Sequence, residues 1–158
     1  MEFRLKSGMG LSISEDHISV MVECIRSSKI NETGGILIGY YTEDLKHSVI
    51  TKVTKPPADS LSGRYWFKRG IKGLKSLLKD AWKKKEYYLG EWHFHPLGTT
   101  NPSNQDLKQM LEIANSKDYH CPEAIMIIIA GTAANYVIKP FLTDKKKGLT
   151  LPMFPIND

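Results

Sequence analysis

The run Ala124 to Ala130 (AIMIIIA) constrains the fold more than any other stretch of the chain. It has the length of a strand and falls far short of the roughly 20 apolar residues that a membrane-crossing helix needs. It carries no polar residue on either side, so both of its faces must be covered, which calls for a sheet packed beneath helices. Three segments supply helical spacing. Ser14 reads as an N-cap, Glu15 and Asp16 suit a first turn, and Ile18, Val22 and Ile25 share one face, which predicts a helix from Ser14 to Ser27. Ile71, Leu74, Leu77, Leu78 and Trp82 predict a second from Gly70 to Lys84, weakened by about 1 kcal/mol at the interior Gly73. Ser103 to Asn115 predicts a third, with Leu107, Met110 and Leu111 inward.

The strands follow from density and alternation. Gly34 to Tyr41 (GGILIGYY) is too apolar for a surface helix, and His47 to Lys55 alternates Val49, Thr51 and Val53 on one side. The two are expected to pair antiparallel. Pro56 to Gly63 is a loop by composition, and the aromatic Arg64 to Lys68 should resume the sheet. Tyr87 to His95 and Glu123 to Ala130 are further strands, and Asn135 to Phe141 closes the set. The expected class is α/β, a curved mixed sheet flanked by three helices in one domain over residues 1–158.

Composition removes several function classes. With 41% hydrophobic and 25% charged residues the composition lies near that of soluble globular proteins and suggests neither disorder nor a membrane class. Glu2, Arg4 and Lys6 are out of place in a signal peptide, so a cytoplasmic location is expected. Two cysteines, Cys24 and Cys121, are too few for a disulfide scaffold. Cys121 adjoins His120, but neighbours on an extended chain point to opposite sides and make a poor metal pair. The net charge of +5 is dispersed. Its densest runs, Lys83 to Lys85 and Lys145 to Lys147, read as solvated lysines, and without a recognition motif nucleic-acid binding is not expected as the main role.

The chemistry concentrates in Gly90 to Asp106 (GEWHFHPLGTTNPSNQD), where a strand passes into a helix through a loop with Pro96, Gly98 and Pro102. His93 and His95 project from one side of the strand, about 7 Å apart at their Cα atoms. Each can reach a shared ion at about 2.1 Å. Ser103 and Asp106 lie on one face of the first helical turn, so Asp106 can supply a third ligand. Two neutral histidines and one carboxylate leave a tetrahedral zinc with an open position, as in hydrolytic rather than structural sites. Each element also has a plainer reading. Ser-x-x-Asp at a helix start is a capping box, and two histidines in a strand are often only a polar face. Their combination across one loop favours the metal.

His-x-His, seven residues, Ser, two residues, Asp resembles the signature of the JAB/JAMM (MPN+) zinc metallopeptidases. The His-Pro-x-Gly continuation is present as His95, Pro96, Leu97 and Gly98, and the family's upstream element as Glu32, Thr33, Gly34, Gly35, Ile36, Leu37, Ile38 and Gly39. The resemblance spans Ile13 to Phe141 and implies a JAB/MPN-like, cytidine-deaminase-like fold. It also implies hydrolysis of a peptide or isopeptidic bond, often after the C-terminus of a ubiquitin-like protein. Carried over, His93, His95 and Asp106 would hold one Zn2+; Glu32 would take a proton from the attacking water and return it to the leaving amine; Ser103 would donate to the developing oxyanion. From the residues alone Glu32 is a surface residue in a turn. The competing base is Glu91, which alternates onto the histidine face of the strand and could instead orient His93.

The lead-in LGEWHFHP and the compact body are similar to a bacterial subgroup often encoded in antiphage CBASS operons, whose members deconjugate the C-terminus of a nucleotidyltransferase (CD-NTase) from its targets. The implied partner is a protein with an extended C-terminal tail, a ubiquitin-like protein or a CD-NTase conjugate. Strand addition is the expected binding mode, with Lys55 to Gly63 and Tyr65, Trp66 and Phe67 as either groove or core. The alternative is a catalytically silent MPN-type scaffold for protein assembly; retention of all five site residues argues against it. A zinc deaminase would need a Pro-Cys-x-x-Cys pair that Cys121 does not provide.

Overall fold

The computed structural model describes residues 1–96, 98–121 and 123–156; Leu97 of the His-Pro-x-Gly stretch and Pro122 after Cys121 lie outside them. In chain order the elements are β1 (Glu2–Arg4), β2 (Gly10–Ser12), α1 (Glu15–Ser28), β3 (Thr33–Tyr41), β4 (His47–Val53), β5 (Leu61–Gly63), β6 (Trp66–Lys68), α2 (Leu74–Lys83), β7 (Tyr87–His95), α3 (Asn104–Asn115), β8 (Glu123–Gly131), β9 (Tyr136–Asp144), β10 (Leu149–Pro152) and β11 (Phe154–Pro155). Nine strands form one sheet in the order β10-β9-β8-β7-β3-β4-β2-β1-β11. It is mixed: β7–β8 and β2–β4 are parallel, the other pairs antiparallel. Only Met153 separates β10 from β11, yet these two occupy opposite ends of the strand order. The sheet must therefore curl until its edges almost meet. None of the described helices is long and apolar enough to cross a membrane.

The doubly buried β8 divides two cores, as its composition demands. Ile125, Ile127 and Ile129 join Leu37, Leu89, Trp92 and the inner face of α1. Ala124, Met126 and Ile128 face the other way, toward Met110 and Ile113 of α3 and Ala81 of α2. Each fully buried isoleucine contributes about 1.5–3 kcal/mol relative to an exposed one. Both faces of β8 thus depend on helices, and α3 is held close to the end of β7.

Several local expectations are corrected. Gly73 is not interior: it is the N-cap of α2, with φ of 81°, in the left-handed region glycine tolerates. Ile71 and Trp82 are exposed, and α2 rests on Leu74, Leu77, Leu78 and Ala81. On α3, Met110 is inward, but Leu107 and Leu111 are exposed and Ile113 and Ala114 take their place. In β4 the register passes from Lys52 to Ile50, so a bulge at Thr51 breaks the alternation and buries Ser48, Ile50 and Val53. Arg64 to Lys68 does not resume the main sheet; among the described residues β6 pairs with β5 alone, as a separate two-stranded hairpin. Beyond Phe141 the sheet continues through β10, while β1, β2 and β11 extend the far side.

Close backbone approach at β3 prepares the site. A Cβ on Gly34 would collide with the Trp92 carbonyl and lie 2.9 Å from the Phe67 ring and 3.0 Å from His93 Cδ2. Only hydrogen fits there. Gly34→Ala should therefore cost about 1–3 kcal/mol through overpacking, read as a lower midpoint in chemical denaturation. An unchanged midpoint would mean that Phe67 and His93 give way freely.

Candidate metal centre and active site

β7 sorts its side chains by alternation. Trp92 and Phe94 enter the α1 core, so Glu91, His93 and His95 point to the side of α2 and α3. His93 pairs in register with Gly34 of β3 and Ile128 of β8, which places its ring deep within the sheet. Phe67 of the hairpin packs edge-on against it at 5.7 Å between ring centroids. His95 is also buried, at the strand's end, and its Nδ1 lies 3.2 Å from the Thr99 carbonyl.

The loop returns at α3, where Ser103 is the N-cap. Its Oγ accepts from the Asp106 amide at 3.1 Å, and its own amide donates to Asp106 Oδ2 at 2.7 Å. The Ser103 hydroxyl also donates to Oδ2 at 2.7 Å. The capping box anticipated as the plain reading is present, and it fixes the carboxylate. Oδ1 then lies 2.9 Å from His93 Nδ1, and Oδ2 lies 3.4 Å from His95 Nε2. His93, His95 and Asp106 are thus brought together, all buried.

Charge in this pocket is shared. Burial opposes protonation of His93, but hydrogen bonds from its ring to Asp106 and Glu91 reverse that and push it up to about 9. His95 is raised in the same way, chiefly by Asp106, against burial. Asp106 is held well below the usual carboxylate range: burial works against it, and the two histidines and Ser103 prevail. Asp106 is thus the partner shared by both histidines.

The donor set fits a hydrolytic zinc: two imidazoles and one carboxylate, all buried, with His95 also lining a cleft. The donors touch in pairs through Asp106, and among the described residues no three His, Cys, Asp or Glu side chains already surround an ion-sized space. His93, His95 and Asp106 would hold a metal with both imidazoles neutral, so binding there would compete with protons. The other considered pair does not assemble: Cys121 is buried with Sγ 3.5 Å from the Leu89 carbonyl, while His120 is exposed.

Glu32 lies just before β3, half-buried, with its amide donating to the Gly63 carbonyl of the hairpin at 2.9 Å. It shares a cleft of about 250 Å³ with His95, Ser103, Arg64 and Tyr65. It also lines a second cleft, of about 380 Å³, with Cys24, Lys55 and Pro56. Burial raises its carboxyl, His95 opposes, and Asp106 adds to the rise. The aromatic segment divides between its two readings. Phe67 is core, while Tyr65 is 72% exposed and lines the cleft.

Glu91 has no exposed surface, and both of its oxygens are engaged by neighbours. Burial raises its carboxyl, but His93 and Arg69 overcome this and lower it. Arg69, Tyr88 and Gln109 around it escaped the sequence reading. The signal was the alternation itself, since a carboxylate carried onto a buried face requires a cation near it.

The family described as prokaryotic homologs of the JAB domain matches residues 14–142. A protein of Enterobacter hormaechei subsp. hoffmannii named CD-NTase/cGAS isopeptidase is 50% identical over 123 residues, which cover 77% of this chain and 68% of that one. One of Sinorhizobium fredii named "Probable metalloprotease y4qB" is 27% identical over 110 residues, 67% of this chain and 66% of the other. The chain thus spans about two thirds of the length of each relative. A Desulfitobacterium hafniense protein solved in solution shares the fold, with a TM-score of 0.67 at 21% identity over 90% of this chain and 88% of that one. The matched span takes in β3, β7 and α3, which carry or directly follow the histidines, Asp106, Ser103 and Glu32, and the chain belongs to the family of prokaryotic JAB-domain homologs.

Proposed function

We propose that the chain is a zinc-dependent isopeptidase of the JAMM type. It would hydrolyse the amide bond after the C-terminal tail of a conjugated protein, with a CD-NTase conjugate in CBASS antiphage defence as substrate. The observation that carries this reading is the gathering of His93, His95 and Asp106 beside a cleft that Glu32 and Ser103 share. The relative named CD-NTase/cGAS isopeptidase supports the substrate class. Residues 1–158 would act as one domain in the cytoplasm.

His93, His95 and Asp106 would hold the metal. Zinc so held supplies a water of pKa about 7 and a Lewis acid for the scissile carbonyl. Glu32, the proton carrier, lines the cleft that His95 and Ser103 also line, where its carboxylate could take a proton from the attacking water and return it to the leaving amine. Its raised carboxyl brings it closer to the range useful for a base near neutral pH. Glu91 is a weaker candidate for that task because its oxygens face neighbouring donors rather than solvent. Ser103 donates to Asp106 here and would have to turn its hydroxyl toward the cleft to meet an oxyanion.

Three variants test the assignment. Glu32→Gln should abolish cleavage of a CD-NTase conjugate while zinc per chain stays near one, whereas Asp106→Ala should lose the zinc. Turnover surviving in Glu32→Gln would hand the base to another group. Ser103→Ala should lower stability by about 1 kcal/mol through loss of the cap. Its kcat should also fall by about 10²–10³-fold; a drop in stability with kcat unchanged would leave Ser103 a cap and nothing more.

A further inference from the structure

Glu91 accepts from donors contributed by separate parts of the fold. Arg69 Nε reaches Oε1 at 2.6 Å, and the Tyr88 hydroxyl reaches the same oxygen at 3.1 Å. Gln109 Nε2 of α3 reaches Oε2 at 2.7 Å, and His93 Nε2 lies 3.3 Å from that oxygen. Arg69 is itself 6% exposed at its side chain, and it donates to the Gly70 carbonyl at 2.9 Å and the Tyr119 hydroxyl at 2.8 Å. Stability alone seldom accounts for a buried ion pair, since apolar replacement of both partners is often neutral or favourable.

The two histidines differ in which nitrogen faces the shared carboxylate. His95 directs Nε2 toward Asp106 and Nδ1 toward the Thr99 carbonyl. His93 is reversed: Nε2 faces Glu91 and Nδ1 faces Asp106. An imidazole that donates one N–H to a fixed acceptor has only its other nitrogen free to ligate, so the acceptor chooses the ligating atom. We propose that Glu91 and Arg69 are positioning residues for His93: Glu91 holds the Nε2–H, Nδ1 is the atom the ring gives to the metal, and Arg69 balances and anchors Glu91 without adding a ligand. This rests on His93 being a metal ligand. Gln109 fixes the second oxygen of Glu91 from α3, the helix that carries Asp106, so both sides of the centre share one reference point.

The test separates positioning from mere structural support. The double variant Arg69→Met, Glu91→Leu removes both charges and keeps apolar volume, so it avoids a lone buried charge. Its metal-free form should remain folded, with a melting temperature lowered by the loss of the acceptor for Tyr88 and Gln109, while its zinc affinity, measured by competition with a chromophoric chelator, falls about 10–100-fold. In wild-type protein loaded with ¹¹³Cd and labelled with ¹⁵N, scalar coupling should appear at Nδ1 of His93 and Nε2 of His95. Coupling at Nε2 of His93, or a folded double variant that binds zinc as tightly as wild type, would overturn the proposal while leaving the ligand set intact. Wild-type protein that takes up no metal would overturn both. Should the double variant fail to fold, the coupling pattern in wild type decides alone.

Discussion

One carboxylate holds two structures together. Asp106 closes the first turn of α3 with Oδ2 and faces His93 with Oδ1. A buried anion is tolerable only when donors surround it, and here the helix start supplies some and the strand supplies the others. Because one group serves both, the angle between α3 and β7 cannot drift without disturbing the histidines. The rest of the fold keeps that angle. β8, buried on both sides, fixes β7 through parallel pairing and fixes α3 through Met126 and Ile128.

The residues that could be read from the sequence are those governed by local rules. Tyr87 to His95 is a strand with the bounds its pattern gave, and period-two alternation carries residues 91, 93 and 95 to one face. Ser14 and Ser103 cap the helices they were expected to cap. What escaped depends on distant partners. β1, β2, β10 and β11 are short and become strands only because the curled sheet brings their neighbours to them. Ile71, Trp82, Leu107 and Leu111 sit at helical spacing, yet spacing does not tell how far a neighbouring layer extends over a helix.

The candidate site divides along the same line. His93, His95, Ser103 and Asp106 lie within one short stretch, so their convergence follows from a strand, a loop and a helix start. Glu32 could not be singled out from its own neighbourhood and needed the resemblance. Two long-range features bring it to the cleft: the pairing of β3 with β7 and the hydrogen bond from its amide to Gly63 of the hairpin. Glu91 was seen, but its burial was not, because the arginine that balances it lies beyond an intervening helix in the chain.

The curl of the sheet has a kinetic side. Closing it requires β1 to find β11, so Phe3 must pair with Pro155 from the opposite end of the chain. His93 and Asp106 are separated by 13 residues. Loop-closure entropy rises with the length of chain enclosed, and contacts between near neighbours form fast while pairings across a whole chain form late. The strand and helix start that face the cleft thus enclose a short loop, while the seam between β1 and β11 encloses nearly all of the given sequence and carries the largest closure cost in the sheet.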